Sequence, residues 1–119
     1  MILAILDDLI FRAKLEAAAK QLEVPLTVVA EAGDAVWNGA TWSRVLIDLN
    51  LTRGDVLAMI RDLRSAYPTT PIVGYCSHVE RHLQQQALEA GCTTVLARSA
   101  FVQQLPELLD TGDAGGTKT

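Results

Sequence analysis

Val45-Leu46-Ile47 runs straight into one carboxylate, Asp48, and the chain then turns polar through Asn50, Thr52, Arg53 and Gly54. A short apolar run bounded by turn signals reads as a strand buried on both faces, the kind found in parallel sheets. That reading constrains the whole chain, because parallel neighbours need crossover connections, usually helices. It also gives Asp48 a position, at the point where the strand leaves the sheet. Ligands of open α/β sheets bind beyond the carboxyl ends of the strands. A charge placed there either serves a function or is an expensive accident of burial.

The rest of the chain supplies the crossovers. Ile2–Leu6 is an apolar run ended by Asp7 and Asp8, and Leu9–Leu22 follows with Phe11, Leu15, Ala18, Ala19 and Leu22 at helical spacing. Glu23 and Pro25 close that helix, Leu26–Ala30 reads as a second strand, and a short helix runs from Gly33-Asp34 through Trp37 to the Asn38-Gly39 turn. The third strand is Arg44–Asp48. A helix over Arg53–Tyr67 presents Val56, Met59, Ile60 and Leu63 as one apolar stripe and stops before Pro68. Pro71–Tyr75 is the fourth strand. A helix over Val79–Ala90, with Val79, Leu83, Ala87 and Leu88 inward, ends at Gly91. Thr93–Ala97 is the fifth strand. The last helix carries Val102, Leu105, Leu108 and Leu109, and Pro106 requires it to begin near Gln103, where backbone donors are unpaired anyway. Five strands thus alternate with five helices, which predicts a parallel sheet covered on both faces. Residues 1–110 form one domain, and the Gly-, Thr- and Asp-rich segment 111–119 is expected to be a flexible tail or the start of a linker.

Composition narrows the function classes. Of 119 residues 50% are hydrophobic but 5% aromatic, so the core is aliphatic, as helix-on-sheet cores are. The net charge of -4 offers no basic footprint for a nucleic acid or an anionic membrane. No apolar run approaches the roughly 20 residues of a membrane span, and no signal-peptide pattern opens the chain. Two unclustered cysteines, Cys76 and Cys92, suit a reducing cytoplasm better than a disulfide framework. Neither a dinucleotide fingerprint nor a phosphate-binding glycine loop is present.

Asp7, Asp8 and Asp48 all fall at carboxyl ends of predicted strands, and the three converge if the first and third strands are neighbours. Clustered anions repel, so one has a raised pKa or a cation sits among them. Oxygen ligands that leave positions to water suit Mg²⁺. Capping of the first helix accounts for Asp7 and Asp8 but not for Asp48.

The order A-I-L-D-D, V-L-I-D-L-N, P-I-V-G-Y-C-S and A-G-C-T-T-V-L-A-R-S resembles the receiver domain of two-component response regulators across about residues 1–110. The resemblance implies an α/β, flavodoxin-like (CheY-like) three-layer sandwich, with a five-stranded parallel sheet in the order 2-1-3-4-5 and five helices. It places Asp48 at the phospho-acceptor, Asp7 and Asp8 at the acidic pair that holds Mg²⁺, and Asn50 where a backbone carbonyl completes the metal site. It implies a histidine kinase or phosphotransfer protein as donor, and a downstream protein or output domain as target. It leaves room for a homodimer through the face between the fourth and fifth helices. No activity is implied beyond phosphorylation and dephosphorylation of the chain itself at Asp48.

The departures from the family pattern lie on the last two strands. Cys76 stands where a Ser or Thr hydroxyl is expected, and a thiol is a weak donor. Ser77 is adjacent but directed elsewhere by strand alternation. Arg98-Ser99 replaces Lys-Pro, and a planar guanidinium is not equivalent to an ammonium at a phosphate site. Val95 replaces the switch aromatic. The resemblance is therefore to an atypical receiver, which either accepts phosphate through an altered site or acts as a phosphorylation-independent interaction module.

Other features carry less. His78 and His82 are four apart and with Cys76 form C-x-H-x-x-x-H, but no further ligand accompanies them and solvation explains both. Cys76 reads as a buried inert thiol rather than a redox group. Trp37 and Trp42 either anchor a partner or cover the sheet edge, and cover is the simpler account.

Overall fold

The computed structural model describes residues 1–30, 41–51, 55–77 and 80–110. Strands β1 (Ile2–Ile5), β2 (Leu26–Val29), β3 (Arg44–Asp48), β4 (Ile72–Cys76) and β5 (Thr94–Ala97) form one sheet in the order β2-β1-β3-β4-β5. Every pairing is parallel. Helices α1 (Leu9–Gln21), α2 (Val56–Ala66), α3 (Arg81–Ala90), α4 (Arg98–Gln103) and α5 (Leu105–Leu109) complete the described elements.

Strand alternation divides the core into two layers. Leu3, Ile5, Val45, Ile47 and Ile72 point to the face covered by Ile60 and Leu63 of α2 and Ala87 and Ala90 of α3. Ile2, Ala4, Leu46, Val73 and Tyr75 point to the other, covered by Phe11, Leu15 and Ala19 of α1, Phe101 of α4 and Leu105 and Leu109 of α5. Asp48 follows Leu46 by two, so it belongs to the α1 and α4 face. The three-layer reading thus holds, because β1 and β3 are apolar on both sides.

Two expectations need adjustment, and one is borne out. The last helix is two helices: α4 ends at Gln103 and α5 starts at Leu105, with Pro106 in its first turn. Proline lacks the N–H that would have continued α4, and the chain turns at Gln104 instead. Leu88 faces outward, 43% exposed, because α3 turns Ala87 and Ala90 to the sheet. Trp42 is buried in the α2 and α3 layer, which settles it as sheet cover rather than a partner anchor. The predicted helix at Gly33–Trp37, with Trp37, and the tail 111–119 lie outside the described residues, as do Arg53, His78 and Val79. No helix among the described residues is long and apolar enough to cross a membrane.

Candidate functional site

The site is built at the carboxyl rim of the sheet. β1 and β3 are hydrogen-bonded neighbours in register, Ile5 opposite Ile47, so Asp7 and Asp8 leave the sheet beside Asp48. Asp48 is 5% exposed and is the one buried charged side chain among the described residues. Its Oδ1 accepts the backbone N–H of Asn50 at 2.8 Å. Burial pushes the Asp48 carboxyl above its ordinary range. The Asn50 amide and the Arg98 charge oppose that, while Asp7 and Asp8 add to it. Asp48 is thus a carboxylate held against its preference for water.

Asp8 is committed at both oxygens. Oδ1 caps α1, accepting from the amides of Ile10 at 3.0 Å and Phe11 at 3.1 Å. Oδ2 accepts from Nη2 of Arg98 at 3.1 Å. The Phe11 amide, helped by the Arg98 guanidinium and the Ile10 amide, holds the Asp8 carboxyl below its ordinary range against a smaller effect of burial. Arg98 enters the rim because β5 passes directly into α4, with Arg98 as the first helical residue. Its guanidinium lies 4.6 Å over the Phe11 ring. Its Nε is buried and has no hydrogen-bond partner among the described residues.

Oxygen donors at one rim are the right chemistry for a hard divalent ion. As they stand, however, Asp8 faces Arg98, and no group of three or more His, Cys, Asp or Glu side chains among the described residues is placed to hold a metal. The resident counter-charge of Asp8 is the Arg98 guanidinium, and a metal taking Oδ2 of Asp8 would compete with it.

The other half of the rim differs from what the strand pattern alone conveyed. Cys76 ends β4, and its Sγ faces the Leu96 carbonyl at 3.9 Å. Burial, with the charges of Asp48 and Glu80, pushes its thiol up, so it is a protonated, inert group and not a redox thiolate. Burial likewise pushes Cys92 up to about 12. Ser77 lies just past the strand, and its N–H at 2.8 Å and Oγ at 3.3 Å both donate to Oδ1 of Asn50. The Asn50 side chain therefore ties the ends of β3 and β4 together, a role beyond the backbone carbonyl expected of it. Val95 is buried in the α2 and α3 layer.

One residue escaped the sequence reading. Tyr75 pairs in register with Asp48 across β3 and β4. Its ring stacks on Phe101 with centroids 4.3 Å apart and tilts against Phe11 at 5.2 Å. Its hydroxyl is buried without a hydrogen-bond partner among the described residues, and burial together with Asp48 pushes its pKa far up. Strand alternation puts Tyr75 on one face, but the β3–β4 register that sets it opposite Asp48 cannot be read from the residues.

No protein-family model matches the chain, and no curated protein matches its sequence. Solved structures do match its fold. A response regulator from Burkholderia pseudomallei, solved with a phosphorylated aspartic acid, a calcium ion and citrate, superposes with a TM-score of 0.78 at 20% identity over 93% of this chain. The chain spans 66% of that protein's length. The receiver domain of a sensor histidine kinase from Pseudomonas aeruginosa, with a magnesium ion coordinated in its active-site cleft, gives 0.73 at 22% identity, covering 91% of this chain and 95% of that one. The beryllofluoride-activated NtrC4 receiver domain dimer gives 0.74 at 13% identity, covering 91% and 94%. The chain has the flavodoxin-like, CheY-like fold of response-regulator receiver domains.

Proposed function

We propose that the protein is a receiver-type module of two-component signalling that accepts a phosphoryl group on Asp48. The observation that carries this reading is the buried Asp48 carboxylate at the end of a central strand, with the Arg98 cation across the same rim. A carboxylate that water no longer stabilises gains by forming a bond to phosphorus, and a fixed cation nearby offsets charge on the phosphoryl oxygens. An Asp48 oxygen attacks the phosphorus of a phosphohistidine, and the histidine nitrogen leaves with the bonding electrons. The reaction is the chain's own modification rather than turnover of a free substrate.

Mg²⁺ is the ion this donor set suits, with Asp7, Asp8, Asp48 and the Asn50 carbonyl as ligands once Asp8 is released from Arg98. When bound it would neutralise charge on the phosphoryl oxygens. The phosphoryl donor is a histidine kinase or phosphotransfer protein in the cytoplasm, and the output passes to a downstream protein or domain or through a homodimer. A dimer is the assembly of one structural neighbour. The test is incubation with phosphoramidate and Mg²⁺ followed by intact-mass measurement. The expected outcome is a +80 Da adduct on the native chain and none on Asp48→Asn; an unmodified native chain at saturating donor counts against the reading.

A second reading is a phosphorylation-independent interaction module. It is favoured by the protonated thiol at Cys76 and by the Arg98–Asp8 pair, which already engages one carboxylate of the acidic pair. It predicts partner binding that survives Asp48→Asn and is indifferent to phosphoramidate.

A further inference from the structure

Two polar atoms on the α1 and α4 face are buried without hydrogen-bond partners among the described residues, the Tyr75 hydroxyl and Nε of Arg98. They belong to one nest: Arg98 lies over Phe11, and Phe11, Tyr75 and Phe101 are in mutual ring contact. Tyr75 is 1% exposed and directly opposite Asp48 in the β3–β4 register, on the same face of the sheet. The charges of Asp48, Arg98, Asp8 and Asp7 all act on its hydroxyl. A phenylalanine would pack the same ring without leaving a buried hydroxyl unmatched, which is costly. The hydroxyl therefore adds no hydrogen bond to the packing among the described residues.

We propose that Tyr75 is the phosphoryl-sensing residue of this chain, its hydroxyl supplying the hydrogen bond that Cys76 cannot. The proposal rests on Asp48 being the acceptor. As the O–P bond to Asp48 forms and the donor's P–N bond breaks, the nitrogen departs with the electron pair. The new phosphoryl oxygens then take the Tyr75 O–H and Arg98 Nε–H as hydrogen-bond donors. Neither residue gives up its proton. Because the Tyr75 ring stacks on Phe101, drawing the hydroxyl toward Asp48 moves a ring packed against α4. The signal then leaves on the α1 and α4 face, opposite the face where Val95 replaces the usual aromatic.

The experiment compares beryllium fluoride with Mg²⁺ on native protein, Tyr75→Phe, and Tyr75→Phe combined with Cys76→Thr. The phenylalanine variant is expected to bind beryllium fluoride about tenfold more weakly, as for loss of a hydrogen bond to a charged group. Its thermal midpoint should equal or exceed that of the native chain. The added threonine hydroxyl should restore affinity. In the native protein, Tyr75 and Phe101 ring resonances should shift on saturation. Equal affinity of native and Tyr75→Phe overturns the proposal, as do unmoved Tyr75 resonances in the saturated native protein. Both outcomes leave Asp48 as acceptor intact. Absence of any beryllium fluoride binding or +80 Da adduct on the native chain removes the acceptor reading, and this proposal with it.

Discussion

Each end of the sheet is held by an arginine, and the two are used in opposite ways. At the amino end, Arg64 at the close of α2 spends its donors on backbone. Its Nε and Nη2 reach the Gly91 carbonyl at 3.1 and 2.8 Å, and its Nη1 reaches the carbonyls of Tyr67, Pro68 and Thr70 at 3.0, 3.0 and 2.9 Å. The turn before β5 and the loop before β4 are thereby clasped by one side chain. At the carboxyl end, Arg98 has one carboxylate, one aromatic face and an unmatched Nε. The first arginine is satisfied by backbone carbonyls, and the second keeps an unmatched Nε among the described residues. Buried polar groups without partners cost stability, and at this rim two of them, Nε of Arg98 and the Tyr75 hydroxyl, lie on the face of Asp48, while Trp42 Nε1 lies in the opposite layer.

The contrast is broken most severely at the amino end. Arg64→Ala should destabilise the protein by about 3 kcal/mol, since several carbonyls lose their donor at once; chemical denaturation measures this, and a loss comparable to that of Arg98→Ala would erase the distinction. Gly91→Ala should cost about 2 kcal/mol, because Gly91 has a φ of 137° and an added Cβ would sit 2.7 Å from Cβ of Arg64. The same denaturation series tests it, and a neutral substitution would mean that the clasp is loose.

At the carboxyl end the effects are smaller and partly reversed in sign. Asp48→Asn should stabilise the fold by about 1 kcal/mol at neutral pH, because it removes a buried charge while the Asn50 amide keeps an oxygen acceptor. The folded-state pKa of Asp48 lies above its ordinary 3.8, so folding takes up a proton as pH falls through the raised value. The charge therefore weakens the fold above that pKa and ceases to do so below the unfolded value. The advantage of Asp48→Asn should fade as pH drops toward about 4, in unfolding curves across pH. Asp8 runs the other way: its lowered pKa adds stability above the ordinary carboxylate value, lost as pH falls through the folded one.

The smallest change in stability is expected for Arg98→Ala, a shift in thermal midpoint of less than about 4 °C, because the ion pair is 38% and 37% exposed at its two side chains. The same variant should bind Mg²⁺ more tightly by calorimetry, since Asp8 no longer has a competing cation. Unchanged or weaker Mg²⁺ binding would show that the guanidinium does not guard the acidic pair.

Much of the fold was legible in local pattern. The runs Ile2–Leu6 and Val45–Ile47 are apolar without alternation, and only a strand covered on both faces uses such a run. Asp7, Asp8 and Asp48 were legible as a rim because carboxyl ends of parallel strands lie together. The helix at Arg98–Gln103 was not, since Arg98-Ser99-Ala100 carries no start signal and the stripe from Val102 to Leu109 reads through Pro106 as if unbroken. The Arg98–Asp8 pair was hidden by 90 residues of separation. Asn50 was seen as a backbone carbonyl, while its side chain's clasp on Ser77 depends on where two loops meet.

The residues by themselves decided which segments become strands and helices, and that three carboxylates leave the sheet at one end, because hydrophobic periodicity and strand polarity are local properties. Tertiary structure decided what those carboxylates face. Register set Tyr75 opposite Asp48, and the crossover from β5 into α4 brought a guanidinium to Asp8. Partners at such distances are chosen by how layers pack, and no local pattern encodes that choice.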